Sequence, residues 1–446
     1  MVRSLKGQIL DSATAHYLSS GDFNGLPVWD IMAAISAEEA QVFRAINALV
    51  RDGTACLIFG DRHPNPHIKA YPEEAVEVQI AKLNRWRDTE KNAKPFDVID
   101  IPGKRIVFTE DKLSPCLYPT STHLSTMVDK AQYAGQPFTL RLALGEPSLN
   151  FETFDLSVLE AYRNDPRFYY HNSEVSGSIY LASDDESVPE SDRVLLERFG
   201  IAFDPDYNRA IAVLLADLKH LSPEHQQVWN SKRIKGEYKL HPDFLRATYY
   251  GEWHTGISLF DAFIALLGFI NEECAQMEKP PIFLNDLSDE KKPREFGFLI
   301  RPTVKEFNDF VLTLDKALSD NINKKFFKDE VIYEAEEVRK DGKVVVTQKG
   351  TIMLLEEWLR SKYRAADWKP IEEMIATFRE VRRKRQAPAH ALNPNAFDQK
   401  YIHEQRDLML RAVTALETLS RVFGDHPKVR TANLNFPLDN VTVWAQ

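Results

Sequence analysis

Pro370-Ile371-Glu372-Glu373-Met374-Ile375-Ala376-Thr377-Phe378-Arg379-Glu380-Val381-Arg382-Arg383-Lys384-Arg385-Gln386-Ala387-Pro388-Ala389-His390 is the stretch on which the reading of this chain turns. Ile371, Met374, Ile375, Phe378 and Val381 recur at three- and four-residue steps, which at ~3.6 residues per turn makes one continuous apolar stripe on a helix. One further turn carries that stripe onto Arg382 and Arg385, whereas Arg383 and Lys384 point to solvent. An unpaired guanidinium is costly to bury, so Arg385 is expected to meet a carboxylate or an anionic ligand at a helix-packing seam. Pro388 ends the helix, and Ala389-His390 open the next segment. An arginine and a histidine near one helix junction suit phosphodiester chemistry, the histidine moving a proton near neutral pH and the arginine holding negative charge.

Working outward, long runs with one apolar side are expected as helices at about 256–277, 303–326, 351–363, 370–385 and 397–422, which together make a helix bundle. Val331 to Val338 and Lys343 to Thr347 flank Asp341-Gly342, a strong hairpin signal, so a β-hairpin should project from the bundle. The last long helix carries Tyr401, His403, Glu404 and Arg406, with Tyr401 and His403 close enough to its start to reach His390. From residue 360 to 446, fifteen Lys and Arg stand against ten Asp and Glu, a local balance of +5 in a chain whose formal charge is −10. Arg382, Arg383, Lys384 and Arg385 are contiguous, so either a solvated helix face or an RNA phosphate contact is expected there.

Arg385-x4-His390 at the end of one helix and the start of the next, with Ala389 before the histidine and helical flanks over roughly 251–430, resembles the HEPN superfamily. That resemblance implies an all-α bundle that cuts RNA without metal or other cofactor. His390 would act as general base or acid on the 2′-hydroxyl, and Arg385 would stabilise the pentacoordinate phosphate. It further implies products with 2′,3′-cyclic phosphate and 5′-hydroxyl ends, a homodimer whose two sites face each other, and a role as a toxin or in defence against phage. Gln386 departs from the Asn, Asp or His that usually follows the arginine, and Arg383 also satisfies the spacing; the helix face favours Arg385. The plainer alternative makes Arg385 an ion-pair partner of Glu380 or of a residue on another helix, with the bundle a non-catalytic dimerisation adaptor.

The first seventy residues read as a separate unit. Ser36-Ala37-Glu38-Glu39 is expected as a capping box ahead of a helix with Val42, Phe43, Ile46, Leu49 and Val50 on its apolar face and Gly53 as its stop. A shorter helix at about 27–35 precedes it. Thr54 to Phe59 reads as a strand, Gly60 to Pro66 as a turn and His67 to Ala70 as a return strand. Helix, helix and hairpin resemble a winged helix-turn-helix, which implies Gln41, Arg44, Asn47 and Arg51 facing outward on a recognition helix and Arg62, His63 and Lys69 on the wing. Six basic against seven acidic residues over 1–70 is a poor balance for a duplex reader, so a protein partner competes with DNA.

Residues 71–250 alternate strand-like runs (Phe96–Ile101, Phe138–Leu144, Ser178–Ala182) with helical ones, which makes a mixed α/β domain. The acidic loop Ser183 to Ser187 reads as a solvated turn rather than a metal site, and Tyr249-Tyr250-Gly251-Glu252-Trp253-His254 as interface packing rather than a base-stacking platform. Neither GxGxxG nor GxxxxGK[ST] occurs, so neither a dinucleotide fold nor P-loop hydrolysis is supported. Three cysteines without CxxC or zinc spacing imply no disulfide framework, no structural metal and a reducing cytoplasm. The N-terminus has no basic-then-apolar leader, and the apolar run from Ile257 to Ile270 is broken by Asp261, so no membrane span is expected. With 446 residues and 43 % apolar content, the chain is expected to be an α+β multidomain protein. Its parts are a winged-helix-like domain over 1–70, the α/β domain over 71–250, and an all-α HEPN-like bundle with an inserted β-hairpin over 251–446.

Overall fold

The computed structural model describes residues 4–90, 95–101, 104–109, 114–173, 175–181, 189, 194–252, 256–287, 292–338, 344–386 and 394–444. Across them the chain is mixed α+β and divides into two compact units, one of Met1–Val158 with Ile179–Tyr238 and the other of Leu159–Ser178 with Lys239–Gln446. His390, the Ser183–Ser187 loop, the Asp341-Gly342 turn, Trp253 and His254 lie outside the described residues.

In the first unit, α1 (Leu5–Ser19), α2 (Val28–Ala34) and α3 (Glu39–Arg51) precede a small sheet. Val42, Phe43, Ile46, Leu49 and Val50 are all buried, as the α3 stripe requires. Gly53 follows at φ +67°, a left-handed conformation that favours glycine and lets the chain reverse. The capping box expected at Ser36 does not form. The helix starts at Glu39 with Glu38 as its N-cap and no side-chain cap bond, because the Ala37 N–H closes a tight turn onto Ile35 O and puts Ser36 outside the cap.

The strand β2 (Ala55–Ile58) does not pair with His67–Ala70, which is not a strand. Its partner is β5 (Cys116–Pro119), some sixty residues on, which also pairs with β1 (Leu26–Pro27), giving the antiparallel order β1-β5-β2. Lys69 is instead pinned inward, its ammonium donating to Gly145 O at 2.8 Å. Between β2 and β5 lie α4 (Val76–Arg85) and a hairpin of β3 (Pro95–Ile101) and β4 (Lys104–Thr109), the first strand matching the run expected at Phe96–Ile101.

Phe138–Leu144, expected as a strand, is the helix α5 (Pro137–Ala143). Pro137 at its first turn presets φ, and Gln226 Oε1 accepts from the Phe138 and Thr139 N–H groups at 3.2 and 3.4 Å. Burial of Phe138, Leu142 and Ala143, with Leu140 between them only half-buried, fits the helical period, whereas a strand face would bury Leu140 along with Phe138 and Leu142 and turn Ala143 away. After α5 come β6 (Phe151–Phe154), β7 (Phe168–Asn172, in the second unit), β8 (Ser176–Leu181), β9 (Leu195–Phe203) and β10 (Arg209–Leu214). β10 pairs antiparallel with β6 (Ile211 opposite Phe154) and with β9 (Ile211 opposite Ile201).

The second unit is mainly helical: α6 (Leu259–Gln276), α7 (Val304–Ala317), α8 (Thr351–Lys362), α9 (Lys369–Gln386) and α10 (Lys400–Gly424). α10 packs on both α6 and α9, and α7 packs on α9. Phe263 and Ile270 of α6, Leu314 of α7, Phe378 of α9 and Leu416 and Phe423 of α10 are among the residues of one shared core. β11 (Glu334–Val338) and β12 (Val344–Gln348) form the expected antiparallel hairpin, Val338 opposite Val344. No helix among the described residues is long and apolar enough to cross a membrane.

Candidate functional site

The stripe on α9 runs as expected through buried Ile371, Met374, Ile375, Phe378 and Val381. One turn further, Arg382 and Arg385 leave the helix on the side of α7, and each is shared between two carboxylates. Arg382 places Nε 2.9 Å from Asp315 Oδ2 and Nη2 2.6 Å from Asp320 Oδ1. Arg385 Nη1 lies 2.7 Å from Asp315 Oδ2 and also bonds Asp320 Oδ2. The Asp315 side chain is 0 % exposed and accepts a further bond from the Ser319 hydroxyl at 2.7 Å. A buried carboxylate needs this compensation, and two guanidiniums supply it. These carboxylates hold Arg385 protonated still more firmly than usual, through hydrogen bonds first and charge second. Its side chain nevertheless keeps 32 % of its surface in solvent.

Neither Asp315 nor Asp320 was anticipated. Asp315 interrupts the apolar series Phe307, Phe310, Val311, Leu314 on α7, so an acid on one apolar face opposite an arginine on another was the available signal.

Glu380 is not the partner of Arg385: it takes Arg411 of α10 at 2.5 and 3.2 Å, which holds its carboxyl below the usual range against the opposing effect of burial. Arg383 and Gln386 are exposed. Lys384 reaches 3.7 Å from Glu404 and lies 5.8 Å from the centre of the Phe307 ring. Tyr401 packs its ring 5.3 Å from that of Phe307, while His403 is exposed one turn along α10.

In the first unit, Gln41, Arg44 and Arg51 are exposed on α3, whereas Asn47 is half-buried. Arg62 is exposed but occupied, donating to Pro72 O at 2.9 Å with its guanidinium 4.9 Å from the Tyr71 ring centre. Lys69 cannot reach nucleic acid: it is 4 % exposed, and its ammonium is divided between Gly145 O and Glu73, 3.2 Å away. All three cysteines are buried, and loss of hydration pushes each thiol up to about 12. Among the described residues no group of three or more His, Cys, Asp or Glu converges as metal ligands would. No family model matches this chain, and no curated protein or solved structure matches it.

Proposed function

We propose that the helical unit is a metal-independent endoribonuclease of the HEPN kind, with Arg385 and His390 as its reacting pair. The observation that carries this reading is the placement of Arg385: last turn of α9, one-third exposed, oriented by two carboxylates, and five residues before His390. Both ion pairs of Arg385 run through Nη1. Nε and Nη2 are then the donors offered to a phosphate oxygen, while Asp315 fixes the plane of the guanidinium. His390 takes the proton from a 2′-hydroxyl, that oxygen attacks phosphorus, and the P–O5′ bond breaks as the 5′-oxygen takes up a proton from water, leaving 2′,3′-cyclic phosphate and 5′-hydroxyl ends. Lys384, Arg382 and Arg383 extend positive charge along the same helix end toward an RNA backbone.

The sites belong to a homodimer of the bundle in this reading, and a toxin or antiviral role follows from the family it resembles. The strand order β1-β5-β2 behind α2 and α3 supports a winged-helix reading of the N-terminal elements, with Arg44 and Arg51 available to DNA or to a protein partner.

The ion pairs also favour a second reading, in which Arg382 and Arg385 only clamp α9 to α7 and the bundle is an adaptor. RNA cleavage decides between them. Purified protein incubated with total RNA and tRNA in EDTA should give cyclic-phosphate fragments that vanish in His390→Ala with folding intact. Intact RNA from the wild-type protein would leave the adaptor.

A further inference from the structure

A different part of the second unit holds polar groups that the α7–α9 clamp does not use. β7 and the segment 292–298 wall a cleft of about 530 Å³, to which Arg163, Tyr170, Asn172, Lys292 and Arg294 contribute. Arg163 stands at the end of the short helix Glu160–Asn164, its side chain only 10 % exposed and bonded to Glu306 through Nη2. Its Nε is buried with no hydrogen-bond partner among the described residues. A buried guanidinium N–H without an acceptor is costly, and a cleft beside it is where an acceptor would sit.

Asn172 adds a second unmet group. Its Nδ2 donates to Tyr170 Oη at 3.1 Å, while its Oδ1 is buried without a partner. Because Tyr170 Oη accepts that bond, its own hydroxyl hydrogen remains to donate elsewhere. Burial pushes the Tyr170 phenol up to about 12, so it is a neutral donor at physiological pH. Arg294 donates to the main-chain oxygens of Asp165 and Pro166 at 2.7 and 3.2 Å, which orients the guanidinium. Lys292 lies 3.1 Å from Asp261, the one carboxylate among the described residues that line the cleft, beside three cations. Tyr169, 41 % exposed, supplies flat apolar surface to the same cleft.

We propose that this cleft binds a small phosphate-bearing ligand of nucleotide size, the phosphate taking Arg163 Nε–H, the Tyr170 hydroxyl and the charges of Lys292 and Arg294. The cleft is large enough for such a ligand, and the exposed Tyr169 ring suits a base. It is separate from the Arg385 network: Glu306, which fixes Arg163, and Asp315 stand about 13 Å apart along α7 at the usual helical rise.

Titration calorimetry on the full chain with adenosine monophosphate, inorganic phosphate and adenosine tests this. Adenosine monophosphate should bind, phosphate more weakly, and adenosine least. Tyr170→Phe keeps the ring and removes one donor, so it should weaken the nucleotide about tenfold, as loss of a hydrogen bond to a charged group does. Lys292→Ala should weaken it by several-fold, and Arg163→Gln should abolish binding. Since Arg163→Gln leaves Glu306 uncompensated and can unfold the protein, Tyr170→Phe is the deciding variant. No binding of nucleotide or phosphate at millimolar concentration, adenosine binding as tightly as the monophosphate, or a Tyr170→Phe protein that binds like wild type would each overturn the proposal. The RNA-cleavage assay with His390→Ala is unaffected by any of these results.

Discussion

Two carboxylates are buried in the helical unit under opposite conditions. Asp315 of α7 is 0 % exposed and is met by Arg382, Arg385 and the Ser319 hydroxyl. Glu273 of α6 is 2 % exposed, and its Oε2 has no hydrogen-bond partner among the described residues. Burial pushes the Glu273 carboxyl up to about 8, with only a Ser420 hydrogen bond opposing it. One acid is thus kept in the core by cations and the other by its proton. The contrast teaches that the arginine end of α9 is a built feature: an arginine pair has been placed where a lone carboxylate would otherwise be lodged in the seam.

The largest effect should come from stripping the compensation from Asp315. Replacing Arg382 and Arg385 together by alanine leaves that carboxylate buried with no guanidinium, and the transition of the helical unit should lose about 3–5 kcal/mol in denaturant unfolding. Arg385→Ala alone should cost much less, because Arg382 still faces Asp315. A single variant as damaging as the double would break the idea that the two arginines share one task.

Glu273 should respond to pH instead. Its carboxyl binds a proton more tightly folded than unfolded, so its contribution is fully present below about pH 4.5, falls as pH rises, and is exhausted above about 8. The slope between those limits is at most roughly 1.4 kcal/mol per pH unit. Thermal melts from pH 5 to 9 should therefore flatten in Glu273→Gln, and that variant should be the more stable protein at pH 9. A wild-type slope that survives the substitution would move the titration to another group.

The smallest effect belongs to the Glu380–Arg411 pair on the outer side of α9, where Arg411 is 46 % exposed. A double-mutant cycle should return no more than about 1 kcal/mol, falling further in high salt. A coupling as large as that of the Asp315 network would erase the distinction between the inner and outer faces of the helix.

Much of this was legible from local pattern. The stripes on α3 and α9, the stop at Gly53 and the β11–β12 hairpin follow from periodicity and turn chemistry, because neighbours in sequence define one face of a helix or one turn. The same local reasoning misassigned Phe138–Leu144, whose alternating pattern fits a strand, since the decisive contact is Gln226 accepting from the N-terminal amides of the helix. It also gave β2 the wrong partner, because strand pairing across sixty residues leaves no mark on either segment.

By itself the sequence determined that Arg385 lies on an apolar face and must therefore have a partner, because a guanidinium cannot be buried alone. Which partner it takes was decided by tertiary structure: packing of α7 against α9 brings Asp315 and Asp320 to the arginines across some seventy residues of chain, and charge compensation in a low-dielectric seam depends on distance in space rather than in sequence.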